Sequence, residues 1–283
     1  MKLLVISGRS GSGKSIILRY LEDLGFYCVD NLPLDLFPQL CTEVKSDYAH
    51  IAVSIDARNQ TNDLTRFHEI LENAKSLGQM WEVIYVNADD NTLLKRYSET
   101  RRKHPLTNRH IDLKEAIHLE SKMLEPICAC ADLLIDTTNL SAAQLGELLH
   151  DRVVPREAST LSLLFTSFGF KYGLPADADY VFDVRCLPNP YWVPELRNQT
   201  GLDTPVATYL SEQSRVRTLL SDVVSFLDNW IPCFQADRRS YLTIALGCTG
   251  GQHRSVYLVE ELGKIYRGKY PQVQIRHREL ARK

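Results

Sequence analysis

Eight consecutive residues near the start, Gly8, Arg9, Ser10, Gly11, Ser12, Gly13, Lys14 and Ser15, follow the pattern G-x-x-x-x-G-K-[ST]. Glycines let such a segment curl so that its backbone N–H groups point inward at a phosphate chain, and a following helix adds partial positive charge. Lys14 would supply a point charge for the β- and γ-phosphates, and Ser15 a hydroxyl for Mg²⁺. A carboxylate at the end of a neighbouring strand would help to orient that metal. Asp30 and Asp56 both follow β-branched runs. Asp56 is favoured, because in a nucleotide-kinase-like sheet the third strand lies beside the first. Arg96, Arg101, Arg102 and Lys103 form a cationic cluster after the fourth run; they suit a lid over phosphates, and a solvated helix face explains them equally well. No Asn-Lys-x-Asp segment is present, so these motifs do not separate ATP from GTP.

A second glycine-containing loop, Gly247, Cys248, Thr249, Gly250, Gly251, Gln252, His253, Arg254 and Ser255, also lies between a strand-like and a helix-like stretch. The Cys-x5-Arg spacing of Cys248 and Arg254 matches that of cysteine phosphatases, in which a thiolate attacks a phosphate held by arginine and backbone amides. Such enzymes also need a general acid on another loop. Asp177, Asp179 and Asp183 are unproven for that role, and glycine rather than histidine precedes Cys248. A site that binds a phosphorylated metabolite or an RNA phosphate without chemistry is the milder reading; a tight turn without a ligand is the plainest.

Towards the C-terminus Lys264, Arg267, Lys269, Arg276, Arg278, Arg282 and Lys283 stand against a single acid, Glu279, in a chain whose formal charge is −2. Tyr266 and Tyr270 interleave with them, a composition that suits a nucleic-acid backbone with some base stacking. A solvated terminus has the same composition.

The elements that must position these residues are legible in the hydrophobic pattern. With 283 residues, 44% of them hydrophobic, the chain can bury one large core or two ordinary ones. No apolar run approaches the roughly 18 residues of a membrane helix, and the start turns to glycine too early for a signal peptide. A cytoplasmic protein without a membrane partner is expected. The seven cysteines are scattered with no Cys-x-x-Cys pair, so reduced thiols are expected. Short β-branched runs at 3–7, 26–29, 51–55, 83–86 and 133–135 alternate with helical stretches at 64–77, 92–102, 113–125 and 142–152. That alternation predicts an α/β domain with a mostly parallel sheet over residues 1–152. Residues 153–160 read as a linker of proline, charge and small side chains. In 161–283, strands are expected at 161–170, 179–185 and 241–246 and helices at 216–230 and 254–267.

Taken together, residues 8–15, 25–33, 53–59, 167–171, 179–185 and 247–255 resemble the RapZ/YvcJ family along nearly the whole chain. The resemblance implies a P-loop kinase-like N-terminal domain that binds ATP at residues 8–15. It implies a GTP-binding assignment at Asp56, Ala57, Arg58 and Asn59, with weak nucleotide hydrolysis. It further implies a C-terminal α/β domain similar to a phosphofructokinase subdomain, a homotetramer, and glucosamine-6-phosphate sensing by the C-terminal domain. In the adapter branch that domain binds a small regulatory RNA and presents it to RNase E, which tunes glucosamine-6-phosphate synthase. The basic tail from Arg276 to Lys283 is similar to the RNA-binding tail of that branch. One departure stands at Tyr191, where adapters carry histidine between Pro190 and Trp192. A metabolic phosphotransferase using both glycine loops is the competing expectation.

Overall fold

Leu3, Leu4, Val5 and Ile6 are all fully buried, which a single strand achieves only when both faces of its sheet are covered. The structure, a computed structural model, describes residues 2–43, 48–59, 64, 66–76, 81–153, 161–237 and 239–280. The chain divides into two compact units, Met1–Val154 and Pro155–Lys283.

In the first unit β1 (Lys2–Gly8), β2 (Tyr27–Val29), β3 (His50–Ser54), β4 (Trp81–Asn87) and β5 (Leu133–Asp136) form a parallel sheet in the order β2-β3-β1-β4-β5. Val5 pairs with Val53 on one side and Val83 on the other. The amide of Ile55 donates to the Ile6 carbonyl at 3.0 Å, which carries Asp56 to the level of the glycine loop. On the other side Thr137 donates its amide to Asn87 at 2.8 Å. The helices are α1 (Lys14–Asp23), α2 (Phe37–Glu43), α3 (Phe67–Ser76), α4 (Asp90–Thr100), α5 (Leu113–Met123), α6 (Glu125–Ala129) and α7 (Ala142–Val153). Asp89 caps α4 by accepting the Thr92 amide at 2.6 Å, and Asp112 and Glu115 form a reciprocal capping box on α5. The helix expected over 113–125 is two helices, since a proline in the first turn of α6 lacks the N–H that would continue α5.

In the second unit β6 (Ser162–Gly169), β7 (Tyr180–Asp183), β8 (Tyr241–Cys248) and β9 (Val273–His277) form a parallel sheet in the order β7-β8-β6-β9. Among the described residues three α-helices accompany it: α8 (Thr204–Glu212), α9 (Ser214–Ala236) and α10 (Arg254–Arg267). Phe165, Leu246, Leu258, Leu262 and Tyr266 belong to one buried cluster against the sheet. In this unit α8 and β9 stand where the hydrophobic pattern predicted no element, as α2 does in the first unit. Strand β9 corrects the reading of a basic tail from Arg276. Val273 and Ile275 alternate with polar residues, and His277 pairs with Ser167 in the ladder, so Arg276 is a strand residue. The Arg278 amide donates to the Ser167 carbonyl at 3.0 Å. Arg282 and Lys283 lie outside the described residues, as does the expected linker apart from Val153, which ends α7. Among the described residues no helix is long and apolar enough to cross a membrane.

Candidate functional site

The glycine loop joins β1 to α1 at the centre of the first sheet. Its three glycines adopt backbone angles that side chains resist, with φ of 138° at Gly8, 85° at Gly11 and 117° at Gly13. A Cβ on Gly8 would sit 2.0 Å from the Val86 carbonyl oxygen, so β4 also requires glycine there. Lys14 folds back into the loop and donates to the Gly8 carbonyl at 2.5 Å and the Arg9 carbonyl at 3.1 Å. Burial pulls its ammonium below the ordinary lysine value, against the opposing charges of Glu120 and Asp56. A bound phosphate chain would replace carbonyl dipoles with full negative charge.

Distant residues brace this loop. Ser10 donates its hydroxyl and its amide to the two oxygens of Glu120, at 2.6 and 2.8 Å, and Glu120 also meets His104 Nε2 at 3.1 Å. Arg9 pairs with Asp90 at 2.6 Å. Thr137 donates to the Ser12 carbonyl at 2.7 Å, and Arg96 donates to the Gly11 carbonyl and to Thr137. Of these, Arg96 belongs to the cationic cluster after β4; it braces the loop and also lines the cavity beside it. Glu120, His104, Asp90 and Thr137 were not anticipated. The signal for Glu120 was its place on the buried face of α5, with Ala116 and Ile117.

Beside the loop is a cavity of about 510 Å³, lined by residues 10–16, Asp30, Asp56, Arg58, Arg96, Arg102, Lys103, Leu140 and Leu145 among others. Its size suits a nucleotide. Asp56 is buried, and both carboxylate oxygens accept from Arg58, at 2.6 to 3.1 Å. Burial alone would raise the Asp56 carboxyl, but its hydrogen bonds with Arg58 and the charge of Lys14 hold it below the ordinary aspartate value. The other two residues of that segment face elsewhere: Ala57 is in the core, and Asn59 accepts the Leu34 amide at 2.8 Å. Ser15 is exposed in the cavity wall. Among the described residues no cluster of three or more His, Cys, Asp or Glu forms a metal cage. Mg²⁺ that travels with a triphosphate takes most of its ligands from phosphates and water, and Ser15 fits that pattern.

In the second unit Cys248 is 2% exposed; it accepts the Gly251 amide at 3.2 Å and lies 3.2 Å from the Ser255 hydroxyl. Burial would raise the thiol, but Ser255 and the surrounding backbone N–H groups bring it below the ordinary cysteine value. Arg254 donates through one terminal nitrogen to the Arg185 and Leu187 carbonyls at 2.9 and 3.0 Å and through the other to the Thr249 hydroxyl of the loop at 3.5 Å. This loop thus has phosphatase spacing without an accessible thiol. Thr249 is exposed, Gly250 half-buried, Gly251 buried, and among the described residues the buried His253 Nε2 meets no hydrogen-bond partner.

Of the C-terminal cations, Lys264, Arg267 and Lys269 are exposed and Arg276 and Arg278 half-buried. Lys264 pairs with Glu261 and Lys269 with Asp228, both at 2.6 Å, while Arg278 donates to the Gly173 carbonyl. Lys269 sits 5.1 Å from the Tyr266 ring centre, and further cation–ring pairs lie elsewhere in this unit. The Arg185 guanidinium sits 4.0 Å from the Phe170 ring centre, Lys171 4.7 Å from Tyr172 and Arg197 5.0 Å from Tyr191. Trp192 is 74% exposed.

Residues 1–156 match the sequence profile described as RapZ-like N-terminal domain, and residues 161–281 that described as RapZ C-terminal domain. A nucleotide-binding protein of Pseudoalteromonas atlantica is 52% identical over 282 residues, covering 100% of both chains. One of Pseudomonas fluorescens is 52% identical over 285 residues, covering 99% of this chain and 100% of its own. Among solved structures, shikimate kinase from Acinetobacter baumannii in complex with shikimate is 18% identical, with a TM-score of 0.36 over 52% of this chain and 90% of its own. The YorR protein of Bacillus subtilis in complex with phosphorylated GDP is 12% identical, with a TM-score of 0.37 over 52% and 92%.

Proposed function

The chain belongs to the RapZ family, with a P-loop kinase-like first unit, and from that premise we propose that it is a nucleotide-binding RNase adapter. It binds ATP or GTP with Mg²⁺ at residues 8–15. Its second unit binds a small regulatory RNA and promotes cleavage by RNase E, tuning glucosamine-6-phosphate synthase. Glucosamine-6-phosphate is sensed at the loop of Cys248, Thr249, Gly250, Gly251, His253, Arg254 and Ser255, and the protein works as a homotetramer in the cytoplasm.

The observation that supports RNA binding best is the set of exposed cations stacked on exposed or half-buried rings, Arg185 on Phe170, Lys171 beside Tyr172 and Arg197 on Tyr191. Such pairs offer a base a stacking face and a phosphate a charge at one place. Tyr191, in place of the adapters' histidine, keeps the stacking face and gives up a titratable nitrogen.

Filter binding of the family's regulatory RNA across a salt series tests the reading. The log–log slope is expected at roughly −0.7 per phosphate contacted, and shallower once Lys171, Arg185, Arg267, Arg282 and Lys283 become alanine. Equal affinity and slope in that variant would remove these residues from the RNA site. Lys14→Ala is expected to weaken binding of a fluorescent ATP analogue about 100-fold, equivalent to losing about 2.7 kcal/mol.

A further inference from the structure

The cavity of the first unit is longer than the glycine loop needs, and its two ends differ in chemistry. It runs along the C-terminal edge of the sheet from residues after β2 to residues after β5, a span of about 19 Å at the usual strand spacing of ~4.8 Å. The glycine loop follows β1, in the middle. Beyond β5 the wall is Leu140, Ala142 and Leu145 with Thr137 and Ser141, apolar surface with a few hydroxyls, which suits a nucleobase and ribose. Beyond β2 and β3 the wall is Asp30, Asp56 and Arg58, which suits neither.

The two acids at this end are not equivalent. Asp56 gives both oxygens to Arg58 and thereby fixes the guanidinium. Asp30 is exposed, and among the described residues no hydrogen bond or ion pair engages its carboxylate. Its place is set by the strand pairing of Val29 with Val53 and by the next amide, that of Asn31, which donates to the Ser54 hydroxyl at 3.4 Å. Asn31 itself takes a left-handed backbone, with φ of 53°, turning the chain just after Asp30. A carboxylate that accepts no hydrogen bond among the described residues and an anchored guanidinium that feels its charge therefore share one wall, on the side of the loop away from the apolar end. Arg102 and Lys103 also line the cavity.

We propose that this end is an acceptor compartment for a small anion bearing a hydroxyl group, a hydroxy acid or phosphorylated alcohol, to which the γ-phosphoryl group of the nucleotide is transferred. Arg58 holds the acceptor's anionic group, and Asp30 accepts the hydroxyl proton. The acceptor oxygen forms a bond to the γ-phosphorus as the bond from that phosphorus to the β–γ bridging oxygen breaks. The electron pair stays on that bridging oxygen and the nucleoside diphosphate leaves. Asp56 acts through Arg58 as a positioning residue. The inference rests on nucleotide binding at residues 8–15 and is independent of any RNA.

Calorimetric titration of sn-glycerol 3-phosphate and D-glycerate into the full chain saturated with Mg²⁺ and a non-hydrolysable ATP analogue tests the compartment, and transfer of ³²P from [γ-³²P]ATP to the same two probes tests the chemistry. At least one probe is expected to bind, with affinity at least tenfold lower in Arg58→Gln. In Asp30→Asn that probe is expected still to bind while transfer falls at least 100-fold, the usual contribution of a positioned base. Binding that persists in Asp30→Asn also shows that the variant is folded. Nucleotide binding without binding of either probe would overturn the compartment and leave the nucleotide reading intact. Loss of nucleotide binding in the unmodified protein would overturn both. Probe affinity equal in Arg58→Gln and the unmodified protein would remove Arg58, and transfer unchanged in Asp30→Asn would remove Asp30.

Discussion

Ser10 gives its hydroxyl and its amide to the two oxygens of one carboxylate, that of Glu120, on a helix 110 positions further along the chain. The phosphate loop is thereby tied to α5 by a fully buried ion that is itself shared with His104. Burial by itself would raise the Glu120 carboxyl, yet hydrogen bonds with His104 and Ser10 and the charge of Lys14 hold it below the ordinary glutamate value of 4.5.

Glu120→Gln is expected to lower stability at pH 7 by about 1.5–3 kcal/mol, the range for hydrogen bonds to a charged group. A folded-state pKa below the ordinary value means that this carboxylate stabilises the fold fully above pH 4.5, a contribution that disappears as the pH falls through the lower folded value. The gap between variant and unmodified protein therefore narrows in acid. Urea denaturation at pH 7 and at successively lower pH measures it. A gap that widens in acid would show that Glu120 is not an ionised partner of the loop.

Cys248 is expected to behave as a structural thiol. A nucleophile needs an exposed thiolate, and this sulfur is 2% exposed. In a thiol-titration time course the exposed Cys186 and Cys233 react first, and Cys248 reacts on unfolding. Aryl phosphates are not turned over. Turnover that vanishes in Cys248→Ser would restore the phosphatase reading suggested by the Cys-x5-Arg spacing.

Gly250 and Gly251 are adjacent and expected to respond differently. Gly251 has φ of 68°, and a Cβ there would lie 2.5 Å from Glu279 Cγ and 2.6 Å from the Gly169 amide nitrogen. Gly251→Ala is expected to cost about 2–4 kcal/mol from backbone strain and overpacking. At Gly250 the nearest atoms are in Lys171, at 3.9 Å, and alanine is expected to change stability by less than about 1 kcal/mol. Thermal melts of the two variants separate them, and equal midpoints would show that the loop is held by something other than its approach to β6.

The sequence by itself determined the alternation of strands and helices and the position of the phosphate loop. Both are local: residues 8–15 are consecutive, and their glycines dictate the backbone wherever the chain goes next. Only the tertiary structure decided which way side chains point and what they meet. Asp56 shares the cavity wall with Ser15 and gives its oxygens to Arg58; Arg254 holds the carbonyls of Arg185 and Leu187 and reaches the Thr249 hydroxyl. Arg276, read as part of a tail, lies in a strand because Val273 and Ile275 find a register against Leu163 and Phe165. Spacing along a chain fixes the periodicity of a backbone, but hydrogen-bond partners are set by strand register and packing between segments a hundred residues apart, which no local pattern records.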